Sequence, residues 1–238
     1  MHLHNVSGGV LAGDRLSLDV AVSSGAAAQI TTTGATRLYR HRAGSADSEQ
    51  SARFSVADGA LLEYFPDAVI PFAGSRHVQR TQIQLGRDAT LYWWEVLAPG
   101  RLASGERFAF DRLRVETAIY TGARPVLRED FLLEPGRHDL TALARMSEYS
   151  YVASLYIVRE GQPAALWRGL EDQLTRIAER RTRHGHERWG ASTLAGDGVM
   201  VRGLSRTGCF LNEALVEFWR AARLTVTGAE VLPPRKIY

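Results

Sequence analysis

Four carboxyl side chains stand where the surrounding sequence is apolar. Glu63 lies in Leu-Leu-Glu-Tyr-Phe, Glu95 in Trp-Trp-Glu-Val-Leu, and Glu129 and Asp130 in Val-Leu-Arg-Glu-Asp-Phe-Leu-Leu. Each interrupts a run that reads as buried strand. Moving an unpaired carboxylate out of water costs several kcal/mol, so such a group is paired, faces water or serves a function. One reading is structural: strand alternation turns each carboxylate to a solvated face, or an arginine neutralises it. The other is functional: acidic groups line a polar cavity or channel suited to a hard or borderline cation in transit. A binding cage needs several fixed ligands, whereas a conduit needs only weak, successive oxygen sites. Glu95 and Glu129 also form the carboxylate pair that a hydrolase would require.

The pattern Gly8-Gly9-x-x-x-Gly13-Asp14 predicts a tight turn. It either presents Asp14 at a functional surface or joins two strands, with Asp14 bonded to backbone. Two His-x-His pairs, His2 with His4 and His184 with His186, would share a metal if they lay on strands. Exposed terminal and loop histidines are the favoured reading of both. His41, His77 and His138 are isolated. The single cysteine, Cys209, excludes an internal disulfide framework and any multi-cysteine zinc or iron–sulfur site. Its position before an apolar helix predicts a buried structural thiol rather than a nucleophile. No nucleotide-binding glycine loop, nucleophile elbow or HExxH helix is present.

The elements that must position these residues are mostly strands. Leu16, Leu18, Val20 and Val22 alternate with polar or small residues, and Ala26, Ala28, Ile30 and Thr32 continue the phase beyond Gly25. Phe54 and Val56 lead through Asp58-Gly59, a hairpin signal, into Leu61 to Phe65, which Pro66 stops. Further strands are expected over 78–85, 91–97, 108–119, 126–133 and 149–158. From Pro163, Trp167, Leu170, Leu174, Ile177 and Ala178 define one helical face, with Gly185 marking its end. A second helix is expected over 212–222, and a hairpin over 194–204 turning at Gly196-Asp197-Gly198. No βαβ alternation is visible, so the prediction is one mainly β domain over residues 1–238 with two late helices.

The 238 residues are 45% hydrophobic and 23% charged, which argues against wholesale disorder. Formal net charge is +3, and Lys236 is the only lysine. The densest basic stretch, Arg176 to Arg188, fits an exposed helix face, so an arginine-rich nucleic-acid module is the weaker alternative. No apolar run reaches the roughly 20 residues of a membrane helix, and no secretory signal pattern opens the chain. The expectation is a soluble cytoplasmic protein.

Five ordered motifs resemble one family. They are Ser7-Gly8-Gly9-Val10-Leu11-Ala12-Gly13-Asp14-Arg15-Leu16, Thr31-Thr32-Thr33-Gly34-Ala35-Thr36-Arg37-Leu38-Tyr39-Arg40, and Leu62-Glu63-Tyr64-Phe65-Pro66-Asp67. Gly100-Arg101-Leu102-Ala103-Ser104-Gly105-Glu106-Arg107-Phe108 and the ending Pro233-Pro234-Arg235-Lys236-Ile237-Tyr238 complete the set. Together they resemble the UreD (UreH) family of urease accessory proteins. The resemblance implies a β-helix-like stack of strands with two α-helices near the C-terminal third. It implies no catalysis and no permanently bound cofactor. It implies a scaffold that binds apo-urease and a UreF-type accessory protein, recruits a UreG-type GTPase through UreF, and passes nickel through an internal channel. By motif position Asp14, Thr36, Glu95 and Glu129 are the channel candidates, with Glu63 and Glu106 behind them. Asn212, Glu213, Glu217 and Arg220 on the second helix are the candidate UreF contacts. Family members usually carry some tens of residues before the Gly-Gly motif, so the chain looks short at its N-terminus, with a sheet edge left exposed.

Overall fold

Strand alternation and corner turns repeat along the first hundred residues, and a computed structural model shows what they build. It describes residues 1–234; the Arg235 to Tyr238 part of the terminal motif lies outside the described residues. Strand β1 spans His2–Leu3 and β2 spans Arg15–Val22, from which Gly25 turns the chain into β3, Ala27–Thr32. After the short β4, Thr36–Leu38, the same step recurs from β5 (Ser48–Val56) to β6 (Leu61–Phe65). After β7, Val69–Pro71, it recurs again from β8 (Arg76–Leu85) to β9 (Thr90–Leu97).

These steps are not hairpins. Strands β2, β5 and β8 pair in parallel, with Val22 beside Val56 and Val56 beside Leu85. Strands β3, β6 and β9 pair in parallel in a second sheet, with Ala27 beside Leu61 and Leu61 beside Thr90. The chain therefore winds as a β-helix-like coil, and the hairpin expected at Asp58-Gly59 is a corner between sheets. The physical reason lies in the corner backbone, which bonds to the next corner. Gly25 N donates to Asp58 O at 3.1 Å, Gly59 N to Arg87 O at 2.8 Å, and Gly86 N to Val56 O at 2.8 Å. Gly59 holds φ +65°, which suits a corner as well as a hairpin.

Strand β10 (Arg112–Thr121) adds in parallel to β8, and β11 (Arg124–Leu133) folds back antiparallel upon it. Strand β12 (Tyr151–Arg159) joins β9 antiparallel, and β14 (Gly198–Ser205) and β13 (Glu187–Thr193) extend that sheet. The larger sheet runs β1-β3-β6-β9-β12-β14-β13, with β4 and β7 alongside; the smaller runs β11-β10-β8-β5-β2. The late hairpin forms as expected, with strands reaching further back than Leu194.

Helix α1 covers Ala164–Arg181 and buries the expected face. It ends before Gly185 because Thr182 Oγ1 takes the Trp189 N–H at 3.0 Å, drawing the chain into β13. Helix α2 covers Gly208–Thr227, longer than the expected 212–222. The earlier start places Cys209 in its first turn, where the thiol is exposed, not buried. Both helices cover one face of the larger sheet, so β9 and β12 are buried on both sides. That burial explains their continuous apolar runs. Tyr92, Trp94, Leu155 and Ile157 pack toward Trp167, Leu174, Phe218 and Trp219. Leu91, Trp93, Tyr156 and Val158 pack toward Phe54, Ile83 and Ile119 of the smaller sheet. Among the described residues, no helix is long and apolar enough to cross a membrane.

His77, at the start of β8, is fully buried with Nδ1 2.8 Å from Ser48 Oγ. Burial pushes its pKa from 6.5 down to about 4, against a weaker pull from Asp47. Below about 6.5 the unfolded chain binds a proton that the folded chain refuses, so stability falls as pH drops toward 4. The loss is roughly 3 kcal/mol. Urea denaturation at stepped pH should show this decline, and His77→Gln should flatten it; an unchanged slope would exclude His77 as its source.

Candidate functional site

Alternation along β9 sends Tyr92, Trp94 and Val96 toward the helices and Leu91, Trp93 and Glu95 toward the smaller sheet. Glu95 pairs in register with Ser154 on β12, and Ser154 with Arg202 on β14. Facing this polar row, Glu129 on β11 pairs with Thr117 on β10, and Thr117 with Thr81 on β8. The two rows form a polar band between apolar layers.

Tyr156 joins them. Its hydroxyl lies 2.7 Å from Glu129 Oε2 and 3.2 Å from Glu95 Oε1. One phenol proton serves two carboxylates, and the shorter contact goes to Glu129. Arg202 Nη2 donates to both Glu129 oxygens, at 2.7 and 2.9 Å, while its Nε donates to Ser154 Oγ at 3.2 Å. Its guanidinium also lies over the Phe131 ring, 5.2 Å from the centroid. Glu129 is thus neutralised by a forked partner. Among the described residues Glu95 has no ion pair, and the Arg202 charge only partly offsets its burial. Burial pushes its pKa from 4.5 up to about 7. The Tyr156 hydroxyl pulls it down and the Glu129 charge adds to the rise. Burial and both carboxylates push the Tyr156 phenol well above its ordinary value, so it stays protonated.

Two cavities open onto this band. One, of about 580 Å³, is lined by the 32–37 loop, Gln50, Asp67, Gln79, Thr81 and Glu95. The other, of about 480 Å³, is mainly apolar, with Leu97, Phe108, Leu113, Val115, Phe131 and Met146 around Ser154 and His138. Val69, Gln79, Glu95 and Val96 line both. The opening has a local cause. Pro66 follows the last residue of β6, and a proline offers no N–H to continue a ladder. Pairing with β9 stops at Tyr64–Trp93 and resumes at Val69–Leu97, leaving Glu95 without a sheet neighbour on that side.

The residues singled out in the sequence divide. Glu95 and Glu129 meet through Tyr156, and Thr36 lines the larger cavity. Asp14 lines neither cavity; its Oδ2 accepts the Leu11 N–H at 2.8 Å and closes the turn. Gly9 serves close approach, since a Cβ there would lie 2.4 Å from the Tyr39 ring. Glu63 points the other way, under α2, where Trp219 Nε1, Arg223 Nε and Gln29 Nε2 donate to it at 3.0, 2.8 and 2.9 Å. Glu106 pairs with Arg101 and accepts the Ala73 N–H at 3.0 Å, pinning a surface loop. Asn212, Glu213 and Arg220 are exposed on α2, whereas Glu217 binds Arg180 and Arg181 of α1 at 2.9 and 2.6 Å. His4 is exposed and lines the larger cavity, and His184 is exposed. Among the described residues, no three His, Cys, Asp or Glu side chains group to hold a metal.

Sequence reasoning missed Tyr156 and Arg202. Arg202 carried a usable signal: it shares the inward phase of Met200 and Leu204, where a charge demands a partner.

The raised Glu95 pKa implies a cost. From about pH 4.5 to 7 the unfolded carboxyl ionises while the folded one keeps its proton, so stability from this group falls as pH rises. Glu95→Gln should therefore be more stable than the parent at pH 8, by up to roughly 3 kcal/mol, and near parity at pH 4.5. Equal urea midpoints at pH 8 would refute the cost.

The chain matches, over residues 1–237, the family model described as UreD urease accessory protein. A Herpetosiphon aurantiacus protein named Urease accessory protein UreD is 43% identical over 238 residues, covering 100% of this chain and 83% of its own length. A Pseudomonas fluorescens protein of the same name is 31% identical over 234 residues, covering 96% and 76%. Urease accessory protein UreD 3 of Methylorubrum populi is 32% identical over 229 residues, covering 94% and 71%. With a family match along nearly every residue and relatives this similar, the chain belongs to the UreD family of urease accessory proteins.

Proposed function

We propose that this chain is a non-catalytic scaffold that binds apo-urease and a UreF-type accessory protein, reaches a UreG-type GTPase through UreF, and passes nickel along its polar band. The observation that carries the nickel route is the place of Glu95 on the wall common to both cavities. Nickel is cargo here. A borderline cation accepts carboxylate, amide and hydroxyl oxygens, and it leaves readily when few of them bind at once. Glu95 offers a carboxyl without an ion pair among the described residues, on a cavity whose lining also includes the Gln79 and Gln50 amides, the Thr36 and Thr81 hydroxyls and the Arg37 and Arg80 side chains. Glu129, bound by Arg202 and Tyr156, holds the band's geometry and is not free to act as a base. That occupation disfavours the two-carboxylate hydrolase. The exposed side of α2, with Phe210, Asn212, Glu213 and Arg220, supports docking of the UreF-type partner.

Glu95→Gln separates the two roles. Co-expressed with apo-urease subunits and the UreF-type protein, the variant should form the same complex. Nickel-dependent urease activation should drop about tenfold, the scale on which loss of a ligating or orienting group weakens metal sites. Unimpaired activation would remove Glu95 from the route. Failure of the parent chain to co-purify with urease would overturn the scaffold reading itself. The double change Glu213→Arg and Arg220→Glu should weaken capture of the UreF-type protein and leave its fold intact by circular dichroism.

A further inference from the structure

The mainly apolar cavity of about 480 Å³ has no lining residue before Val69. It lies toward the β11 end of the smaller sheet, opposite β2. Its wall belongs to a cluster of its own: Phe108, Leu113 and Leu140 are buried, with Leu97, Val115 and Leu133 packed against them. Such a wall favours an apolar occupant. A cavity of roughly 300–1,000 Å³ with apolar walls and a few polar groups is the usual form of a small-ligand site. The two ends differ. At the inner end Tyr156 Oη donates to Glu95 Oε1 at 3.2 Å and Arg202 Nε to Ser154 Oγ at 3.2 Å, so these groups are engaged. At the mouth His138 and Arg145 are exposed. Among the described residues Arg145 makes one hydrogen bond, from Nη1 to the Asp139 carbonyl at 3.0 Å, and no ion pair. The Asp139 carboxylate is near enough to feel the Arg145 charge, but its Oδ1 accepts from Thr141 N and Oγ1 at 2.8 and 2.6 Å. Glu134, also on the lining, pairs with Arg137 at 3.3 Å.

We propose that this cavity binds a medium-chain monocarboxylate, with its tail along the apolar wall and its carboxylate at Arg145 and His138. Charge selects the direction. The guanidinium at the mouth has donors to spare for an anion, whereas a carboxylate driven inward would meet Glu95 and Glu129. Phe131 and Leu132 also line the cavity and remain 37% and 48% exposed, so the first methylenes of the tail pass over apolar surface already at the rim. The site stands independently of the nickel route. The two share the wall that carries Glu95, so a tail long enough to reach it closes that wall to a passing cation.

Isothermal titration of the full chain with hexanoate, octanoate, decanoate and decanol at neutral pH tests this, without urease or nickel. The acids should bind saturably at one site per chain, and the dissociation constant should fall about fourfold per added methylene. Arg145→Glu, a change at an exposed position, should weaken decanoate about tenfold and leave decanol unchanged. Val115→Trp fills the cavity and should abolish binding of both, with an unchanged circular dichroism spectrum. No saturable binding of any acid by the parent chain would overturn the proposal, whatever the variants do. Decanol binding as tightly as decanoate, with Arg145→Glu neutral, would show a cavity without an anion site and would also overturn it. Undiminished binding by a folded Val115→Trp chain would place the ligand elsewhere, with the same consequence.

Discussion

The larger sheet is covered on both faces, and the site follows from that. Helices α1 and α2 occupy one side and the smaller sheet the other, so the central residues of β9 and β12, such as Trp93 and Tyr156, have no easy route to bulk water. Every side chain on these strands must find a partner within one of two interiors. The large aromatics meet that demand by stacking: Phe65 on Trp94 at 4.0 Å, and Trp93 on Tyr156 at 4.7 Å. A carboxylate on the same strand meets it only through hydrogen bonds, charges or trapped water. Glu95, Ser154 and Arg202 therefore read as one polar row, and the smaller sheet had to supply Glu129 opposite it.

Two interior carboxylates on neighbouring strands illustrate how differently that demand is satisfied. Glu63 receives three donors from two elements and has 3% of its surface exposed. It welds α2 to the sheet, and removing one partner would leave an uncompensated charge. Glu95 receives one shared phenol, which does not offset its burial, so its carboxyl holds its proton to about pH 7. A fold optimised for stability alone would pair or replace such a group. Retaining it under-satisfied, at a break in the ladder made by Pro66, is consistent with a site whose contacts must be exchanged.

Part of the arginine content has a structural explanation. On the outer face of the smaller sheet, Arg53 binds Asp19 across β5 and β2. Arg80 binds Glu49 and Glu116 across β8, β5 and β10, and Arg114 binds Asp130 across β10 and β11. The pairs cross all five strands. Each is exposed and worth up to about 1 kcal/mol, but together they fix register on a face without apolar cover. Arginine suits that work, because its fork spans two carboxylates at once. On this face the charges of Arg53, Arg80 and Arg114 are met by carboxylates of neighbouring strands.

The sequence alone determined most strand phases, the two helices, the inward faces of Trp167 to Ala178, and the anomaly of carboxylates in apolar runs. These are local properties: periods of two and of three to four residues, and the solvation cost of a charge. The sequence nevertheless placed residues 108–111 in a strand that starts only at Arg112, Phe108 taking φ +53° before it. It also carried the motifs of the UreD family. It could not determine whether Asp58-Gly59 turns a hairpin or a corner, because the same φ serves both and the choice depends on which backbone groups lie on the next rung. Nor could it separate Glu63 from Glu95, which sit in similar local contexts. One faces Trp219 and Arg223 and the other a cavity, a difference set by residues more than a hundred positions away in the first case and by a gap between two rungs in the second. Tertiary structure decided it, because the partner that neutralises a buried charge is chosen by packing between layers and leaves no mark on the charge's own neighbours in sequence.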